Sequence, residues 1–406
     1  MADKNHKIRC KEVWKIFGPN PESVFDLIEN GASKQELMEK TGHVIAIRDV
    51  SFEVQENEVF VVMGLSGSGK STLVRCINRL MEPTKGSIYI DDTDIAKMND
   101  LELRELRRHR LSMVFQNFGL LPHRSVFDNV TFGLEVRGER KEARYKKSQE
   151  AIELVGLKGW EKSRLNELSG GMQQRVGFAR ALAVGSEFLL MDEPFSALDP
   201  LIRRQMQEEF LNLRQQLKKT VIFITHDLLE ALTLGDRVAI MRDGEIVQMG
   251  NPEEIVTNPS GDYVRAFVKD VPRGKVLPIR NFMEEPLVVV TEDQPVAAAI
   301  EEMEKKESDF AFVVDGSGIF KGALTKEQAI NTKNKGSVKA VEIIEQECPT
   351  ALPNATLEHC LQLVAESNIP VAVLDEARHL QGMVTRTAII QATGGNGAQN
   401  GANGKR

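Results

Sequence analysis

Cysteine and the large aromatic residues are scarce in this chain, which holds 4 Cys, 2 Trp and 3 Tyr among 406 residues. Cys10, Cys76, Cys348 and Cys360 are scattered and show no metal-ligand spacing. Reduced, structural thiols are therefore expected, rather than a disulfide framework or a zinc site. A run of eighteen or more apolar residues is also missing, so no segment is expected to span a bilayer as a helix. Residues 1–7 lack the apolar core of a secretory leader. Nor is there an excess of positive charge: the formal net charge is −7, which argues against a nucleic-acid partner. What remains is a chain with 41% apolar and 27% charged residues, able to bury real cores over two or three domains.

The most informative string is Gly64-Leu65-Ser66-Gly67-Ser68-Gly69-Lys70-Ser71-Thr72. It follows the apolar run Val59 to Met63 and precedes a helix-like segment to Leu80. Strand, glycine loop and helix together make a phosphate-binding loop. The glycines let backbone N–H groups close around phosphate oxygens, and the helix start adds the positive end of its dipole. In such a loop Lys70 reaches the β- and γ-phosphates, and the Ser71 hydroxyl holds Mg²⁺. A second apolar run, Phe188 to Met191, ends in Asp192 and Glu193. Beside a phosphate loop, Asp192 is placed to assist Mg²⁺ binding, and Glu193 to act as general base or to position water.

Strand signals at Val44–Val50, Glu58–Met63, Phe188–Met191 and Val221–Ile224 alternate with helical ones, which predicts an α/β domain with a largely parallel sheet. Residues 7–17 read as an edge strand and turn. Residues 20–42 read as a two-helix insertion: Asn20-Pro21 opens the first helix, and Ser33 with Glu36 forms a capping-box pattern for the second. Residues 119–186 read as a helical subdomain. The pattern changes near Val271-Pro272-Arg273-Gly274-Lys275. Beyond it, Asp315, Gly322, Thr325 and Ile330 recur as Asp375, Gly382, Thr385 and Ile390. The constant offset indicates two copies of one unit that bury a shared face. Residues 394–406 are rich in Gly and Asn and are expected to be disordered.

The string Leu168-Ser169-Gly170-Gly171-Met172-Gln173-Gln174-Arg175 completes a pattern that strongly resembles the ATP-binding cassette (ABC) family over residues 7–250. The resemblance implies a fold with a RecA-like α/β core plus a helical subdomain. It implies ATP and Mg²⁺ as ligands, with Ser71, Gln116 and Asp192 around the metal. Gln116 matches the family's Q-loop, Ser196-Ala197-Leu198-Asp199 its D-loop, and His226 its switch histidine, so Glu193, His226 and Gln116 are the implied catalytic set. Phe17 matches the aromatic on which adenine stacks, though ordinary packing also fits it. The family works as a dimer of cassettes. Each ATP would lie between one phosphate loop (Gly64, Ser66, Gly67, Ser68, Gly69, Lys70, Ser71, Thr72) and the opposing Ser169, Gly170, Gly171, Gln173 and Asp199.

One cassette without a coiled coil resembles the ATPase subunit of a transporter, with separate membrane permease subunits. The apolar loop Asn117–His123 fits either docking of a permease helix or a solvated surface. The insertion at 20–42 and the repeated C-terminal module are together similar to the glycine betaine/proline (quaternary amine) osmoprotectant importers. That implies a peripheral position at the cytoplasmic face of the membrane and a substrate-binding domain fused to, or separate from, the permease. An importer of another substrate and a non-transport, nucleotide-gated regulator are the competing readings. The expected domains are an ABC ATPase at 1–271, a linker at 272–279 and, at 280–393, an α+β module that resembles tandem cystathionine-β-synthase-type (CBS) domains. In the cleft motif of such modules a ribose-binding Asp is expected, but here Gln328 and Ala388 stand in its place. A cyclic dinucleotide such as cyclic di-AMP remains as a candidate ligand by analogy, beside ligand-free dimerisation. Lys321, Lys326, Lys333, Lys335 and Lys339 make the module locally basic, which suggests contact with anionic lipid.

Overall fold

The computed structural model describes residues 6–116, 119–196, 198–333, 338–345, 347–365, 367 and 369–393. Asn117 and Phe118 of the expected docking loop, Ala197 of the D-loop string, Lys335 and the tail 394–406 lie outside the described residues. The chain divides into two units, Met1–Lys269 and Asp270–Arg406.

Two sheets build the first unit. Strands β1 (His6–Phe17), β2 (Val44–Gln55), β3 (Val59–Met63), β4 (Lys85–Ile90), β5 (Thr93–Asp94), β6 (Leu111–Val114), β7 (Phe188–Asp192), β8 (Thr220–Thr225), β9 (Arg237–Arg242) and β10 (Glu245–Gly250) follow in chain order. The antiparallel sheet runs β2-β1-β4-β5, and the larger sheet runs β10-β9-β3-β8-β7-β6. All pairs of the larger sheet are parallel except β10 with β9. Every residue of β3, β7 and β8 is buried, as expected for parallel strands covered on both faces. Phe52 of β2 stacks on Phe60 of β3, with ring centroids 4.8 Å apart and planes 8° from parallel. That pair joins the two sheets in one core with Leu73, Ile88, Phe188 and Ile222.

The helices of this unit are α1 (Phe25–Glu29), α2 (Lys34–Thr41), α3 (Lys70–Ile77), α4 (Asp100–His109), α5 (Val126–Val136), α6 (Lys141–Leu154), α7 (Gly170–Ala183), α8 (Pro200–Leu217) and α9 (Leu228–Leu234), followed by two short ones at Pro252–Thr257 and Asp262–Val268. Those of the insertion, of the segment after the phosphate loop and of residues 119–186 fall where the sequence indicated. Helices α5, α6 and α7 pack together as the helical subdomain. In the insertion a 3-10 turn at Pro21–Val24 precedes α1. The capping box on α2 is present: Ser33 Oγ accepts from the Glu36 N–H, and the Glu36 carboxylate accepts from the Ser33 N–H. Val24, Ile28 and Leu37 bury the insertion against Ile16 and Ile45. The expected edge strand at 7–17 is instead an inner strand, paired with β2 on one side and β4 on the other. Its second partner lies some seventy residues on, beyond the reach of local sequence patterns.

The second unit repeats one motif. Strands β11 (Val289–Thr291), β12 (Phe310–Val314) and β13 (Phe320–Thr325) form one sheet, and β14 (Thr350–Ala351), β15 (Val371–Leu374) and β16 (Leu380–Val384) form another in the same order. Phe312 and Phe320 from the first copy share a core with Ile369, Leu374 and Met383 from the second, the shared face that the repeat predicted. The stretch expected as a linker, 272–279, belongs to this unit. Arg273–Val276 is a short helix that packs on the helices Leu357–Ala365 and Arg386–Thr393, and buried Ile279 joins the second copy's core. All four cysteines are free and buried. Burial pushes the Cys76 and Cys348 thiols up to about 12 and that of Cys360 to about 11, so these thiols stay protonated and inert.

Candidate active site

The phosphate loop connects β3 to α3, and its backbone is possible only with glycine. Gly69 caps α3 at φ 102°, and a Cβ there would lie 2.2 Å from the Ala46 carbonyl oxygen. The chain approaches its neighbour too closely for any side chain. Lys70, buried at the start of α3, donates to the Gly64 carbonyl at 2.8 Å and to the Leu65 carbonyl at 3.0 Å. Burial holds its pKa below the ordinary lysine value. Both acceptors are neutral and the nearest carboxylate oxygen, on Glu193, is 3.9 Å away. This desolvated cation is therefore suited to an incoming phosphate.

Opposite the loop, β7 delivers Asp192. Only 1% of the residue is exposed. Ser71 Oγ donates to Asp192 Oδ1 at 2.8 Å, while Asp192 Oδ2 is buried without a hydrogen-bond partner. Burial raises the pKa of this carboxyl above the usual aspartate value, and the Ser71 hydrogen bond opposes the shift. A hydroxyl, a carboxylate with an open oxygen and nearby phosphates form a hard oxygen donor set. That set fits Mg²⁺, which prefers few protein ligands with substrate phosphate and water. Among the described residues no group of three or more His, Cys, Asp or Glu could hold a metal by itself.

Glu193 follows at φ 47°, a left-handed conformation that costs energy in a non-glycine residue and turns the carboxylate away from the strand. Three side chains meet there. His226 Nδ1 lies 3.1 Å from Glu193 Oε2, and Gln116 Nε2 donates to the same oxygen at 3.3 Å. His226 directly follows β8, and Gln116 lies two residues beyond β6. Parallel pairing thus brings four strand ends to one rim, where α/β folds place their ligands.

Most of these groups line one cleft of about 810 Å³, within the range of small-molecule sites, while Gly64, Ser68 and Asp192 lie behind its lining. Phe17, Leu65, Ser66, Gly67, Gly69, Lys70, Ser71, Thr72, Gln116, Glu193 and His226 all border it. Ser169, Gly170, Gly171, Gln173 and Asp199 do not. Ser169 Oγ caps α7 by accepting from the Met172 N–H at 3.3 Å, and the residue is exposed. Gln173 Nε2 donates to the Leu165 carbonyl at 2.9 Å, so its amide ties down its own loop. Asp199 caps α8, its Oδ1 accepting from the Leu201 and Ile202 N–H groups at 3.1 Å. The residues implied to act across a dimer therefore sit apart from their own chain's cleft.

Lys34, Gln35, Met38 and His43 were not anticipated, yet all border the same cleft. A signal was available: the insertion leaves the core next to Phe17 and returns at Val44, and both residues line the cleft. In the second unit, the two glycines of the repeated motif approach backbone or side chains of their own unit closely. A Cβ on Gly322 would lie 2.7 Å from the Glu345 carbonyl oxygen, and one on Gly382 would lie 3.1 Å from that of Glu284. Thr325 and Thr385 accept from the N–H groups of Gln328 and Ala388, capping the helices that follow. The basic cluster is also partly neutralised, since Lys321 pairs with Asp315 at 3.0 Å and Lys339 with Asp293 at 2.6 Å.

A phosphate loop, a buried Ser–Asp pair with one open oxygen, and a carboxylate gathered with glutamine and histidine define a nucleoside triphosphatase with Mg²⁺ chemistry. Comparison with known proteins refines this. Residues 47–196 match the ABC transporter family model, and residues 279–332 and 339–395 match the CBS domain. The chain is 45% identical over 396 residues to the glycine betaine transport ATP-binding protein OpuAA of Bacillus subtilis (strain 168), covering 98% of this chain and 94% of that protein. It is 52% identical over 279 residues to the trimethylamine N-oxide transport system ATP-binding protein TmoW of Pelagibacter ubique (strain HTCC1062), covering 69% of this chain and 82% of that one. The dimeric structure of MJ0796, a bacterial ABC transporter cassette, superposes with a TM-score of 0.52 at 31% identity, covering 60% of this chain and 98% of that one. The chain belongs to the ABC transporter family, as an ATPase that carries tandem CBS domains.

Proposed function

We propose that this ATPase drives import of glycine betaine or a related quaternary amine, as a homodimer beneath separate permease subunits at the cytoplasmic face of the membrane. The observation that carries the reading is the likeness to a glycine betaine transport protein over 98% of the chain, CBS module included. The similarity to a trimethylamine N-oxide system supports the wider class of small methylated amines. Among the described residues no helix is long and apolar enough to cross a membrane, which agrees with a peripheral subunit.

In the mechanism we assign, the loop N–H groups and Lys70 hold the triphosphate. Ser71, Asp192 and Gln116 would hold Mg²⁺, which neutralises charge on the phosphoryl oxygens. Glu193 orients a water molecule and accepts its proton as the water oxygen bonds to the γ-phosphorus and the bond to ADP breaks. His226 steadies Glu193 and contacts the γ-phosphate. Ser169 and Gly170, at the start of α7, would close on the nucleotide of the second copy, where hydroxyl, N–H and helix dipole favour an anion. Closure and reopening of that dimer would move the permease.

We assign regulation to the CBS module, with a cyclic dinucleotide such as cyclic di-AMP as its ligand. The ion pairs of Lys321 and Lys339 remove two of the charges on which contact with anionic lipid would rest. The test is uptake by vesicles that contain the complete complex. ATP-dependent accumulation of glycine betaine supports the proposal, and accumulation of only a chemically unrelated solute refutes it.

A further inference from the structure

Two chemically different sets of groups border the cleft. The glycine loop and Lys70 address phosphate. Large apolar side chains from the rim of the insertion also stand exposed there: Phe17 at 39%, Met38 at 54% and Val44 at 44%. Exposed apolar groups that converge on a cleft continuous with a phosphate site fit the flat faces of a nucleobase. Lys15 Nζ lies 5.3 Å from the Phe17 ring centroid, which fixes that ring from one side.

Met38 belongs to α2, and α2 is held firmly. Its first turn is locked by the Ser33–Glu36 capping box, and Gly42 ends it at φ 70°. Leu37 is buried with Ile16 and Ile45, so the neighbouring Met38 must point elsewhere. Lys34 precedes Met38 by four residues, which puts both on one helix face, and both border the cleft. Burial lowers the pKa of Lys34, and its nearest carboxylate oxygen, on Asp243, is 4.0 Å away. A partly desolvated ammonium at this distance from its counter-charge has donors to offer a ligand. His43 braces the return of the insertion: its Nε2 donates to the Pro19 carbonyl at 2.7 Å, and a Cβ on Gly18 would lie 2.3 Å from its ring.

We propose that α2 of the insertion is the nucleoside-binding wall of the ATP site. Met38 packs on the purine across from Phe17, and Lys34 donates to the ribose or base edge. The inference rests on the ATPase assignment and extends it to residues that no cassette motif marks. Thioether contacts with aromatic rings contribute about 0.3–1.5 kcal/mol, equivalent to roughly two- to tenfold in affinity.

The test is equilibrium binding by calorimetry on the full chain, with ATP and inorganic tripolyphosphate as probes. Met38→Ala and Lys34→Ala should each weaken ATP about fivefold, and together more, while tripolyphosphate binding stays within about twofold of wild type. ATP binding unchanged in the double variant overturns the proposal. Equal weakening of tripolyphosphate also overturns it, because the helix would then act on the phosphate loop. Lys70→Ala separates the two levels: wild-type ATP binding there would remove the nucleotide site itself. Both α2 side chains are partly exposed, and circular dichroism confirms that the variants fold.

Discussion

Ser71 donates its hydroxyl proton to Asp192 at 2.8 Å across 121 residues of sequence, and leaves the second carboxylate oxygen buried with no hydrogen bond and only the Arg75 guanidinium, 3.8 Å away, as counter-charge. This pairing fastens the phosphate loop to the acidic strand and keeps one hard oxygen open for a cation. Burial of this carboxylate is a cost to the fold that the Ser71 hydrogen bond and the Arg75 charge offset only in part, and that a bound cation would offset further.

The stability of the nucleotide-free chain should therefore change with pH. Folding raises the pKa of Asp192, so the native state binds the proton more tightly than the unfolded state does. Stability then falls as pH rises from the ordinary aspartate value of 3.8 through the folded one, and the cost is complete above it. Asp192→Asn should melt at a higher temperature than wild type at pH 8 without Mg²⁺, and the difference should shrink toward pH 4. The same variant should lose about 10- to 100-fold in Mg²⁺ affinity. Calorimetric melts and Mg²⁺ titrations check both.

Glu193→Gln should bind ATP with near-wild-type affinity and lose about 10²- to 10⁴-fold in turnover, the range of a general base. Its side chain keeps the size that His226 and Gln116 meet, so the site stays assembled. Single-turnover hydrolysis reads the loss, and size-exclusion chromatography in ATP should show a persistent dimer.

Lys70→Ala removes a charged donor from a buried position. Hydrogen bonds to charged groups contribute about 1.5–3 kcal/mol, so ATP should bind roughly 10- to 150-fold more weakly. Thermal stability should change little, because losing the two loop-carbonyl hydrogen bonds and the 3.9 Å ion pair with Glu193 is offset by removing a buried, desolvated charge. Nucleotide titration and a melting curve measure both effects.

Phe60→Ala should destabilise the first unit by about 3–5 kcal/mol, since the ring is fully buried and stacked on Phe52. Denaturant unfolding followed near Trp14 should show the loss without a matching change in the CBS unit.

The meeting of the candidate residues at one rim was legible in the sequence because they sit in short strings on strand ends. Gly64 to Thr72, Asp192-Glu193, Gln116 and His226 each lie next to a buried strand, and parallel pairing brings those ends together. The repeat was legible because the two copies keep one spacing, and their shared core around Phe312 and Met383 confirms it. Non-local pairing was not legible. The position of β1 inside its sheet depends on β4, and no local pattern announces that partner. The linker at 272–279 was misread because a Pro-Arg-Gly composition resembles a loop, although Ile279 is buried in a core built mainly from residues after 350. Lys34 and Met38 carry no motif. Only the return of the insertion to the cleft shows where they point.

The most direct test of the account is ATP hydrolysis by the complex of this chain with its permease in lipid vesicles, measured with and without glycine betaine. The account predicts hydrolysis that rises with betaine, accompanies its uptake and disappears in Glu193→Gln. Hydrolysis that ignores betaine while the complex imports an unrelated solute would contradict it.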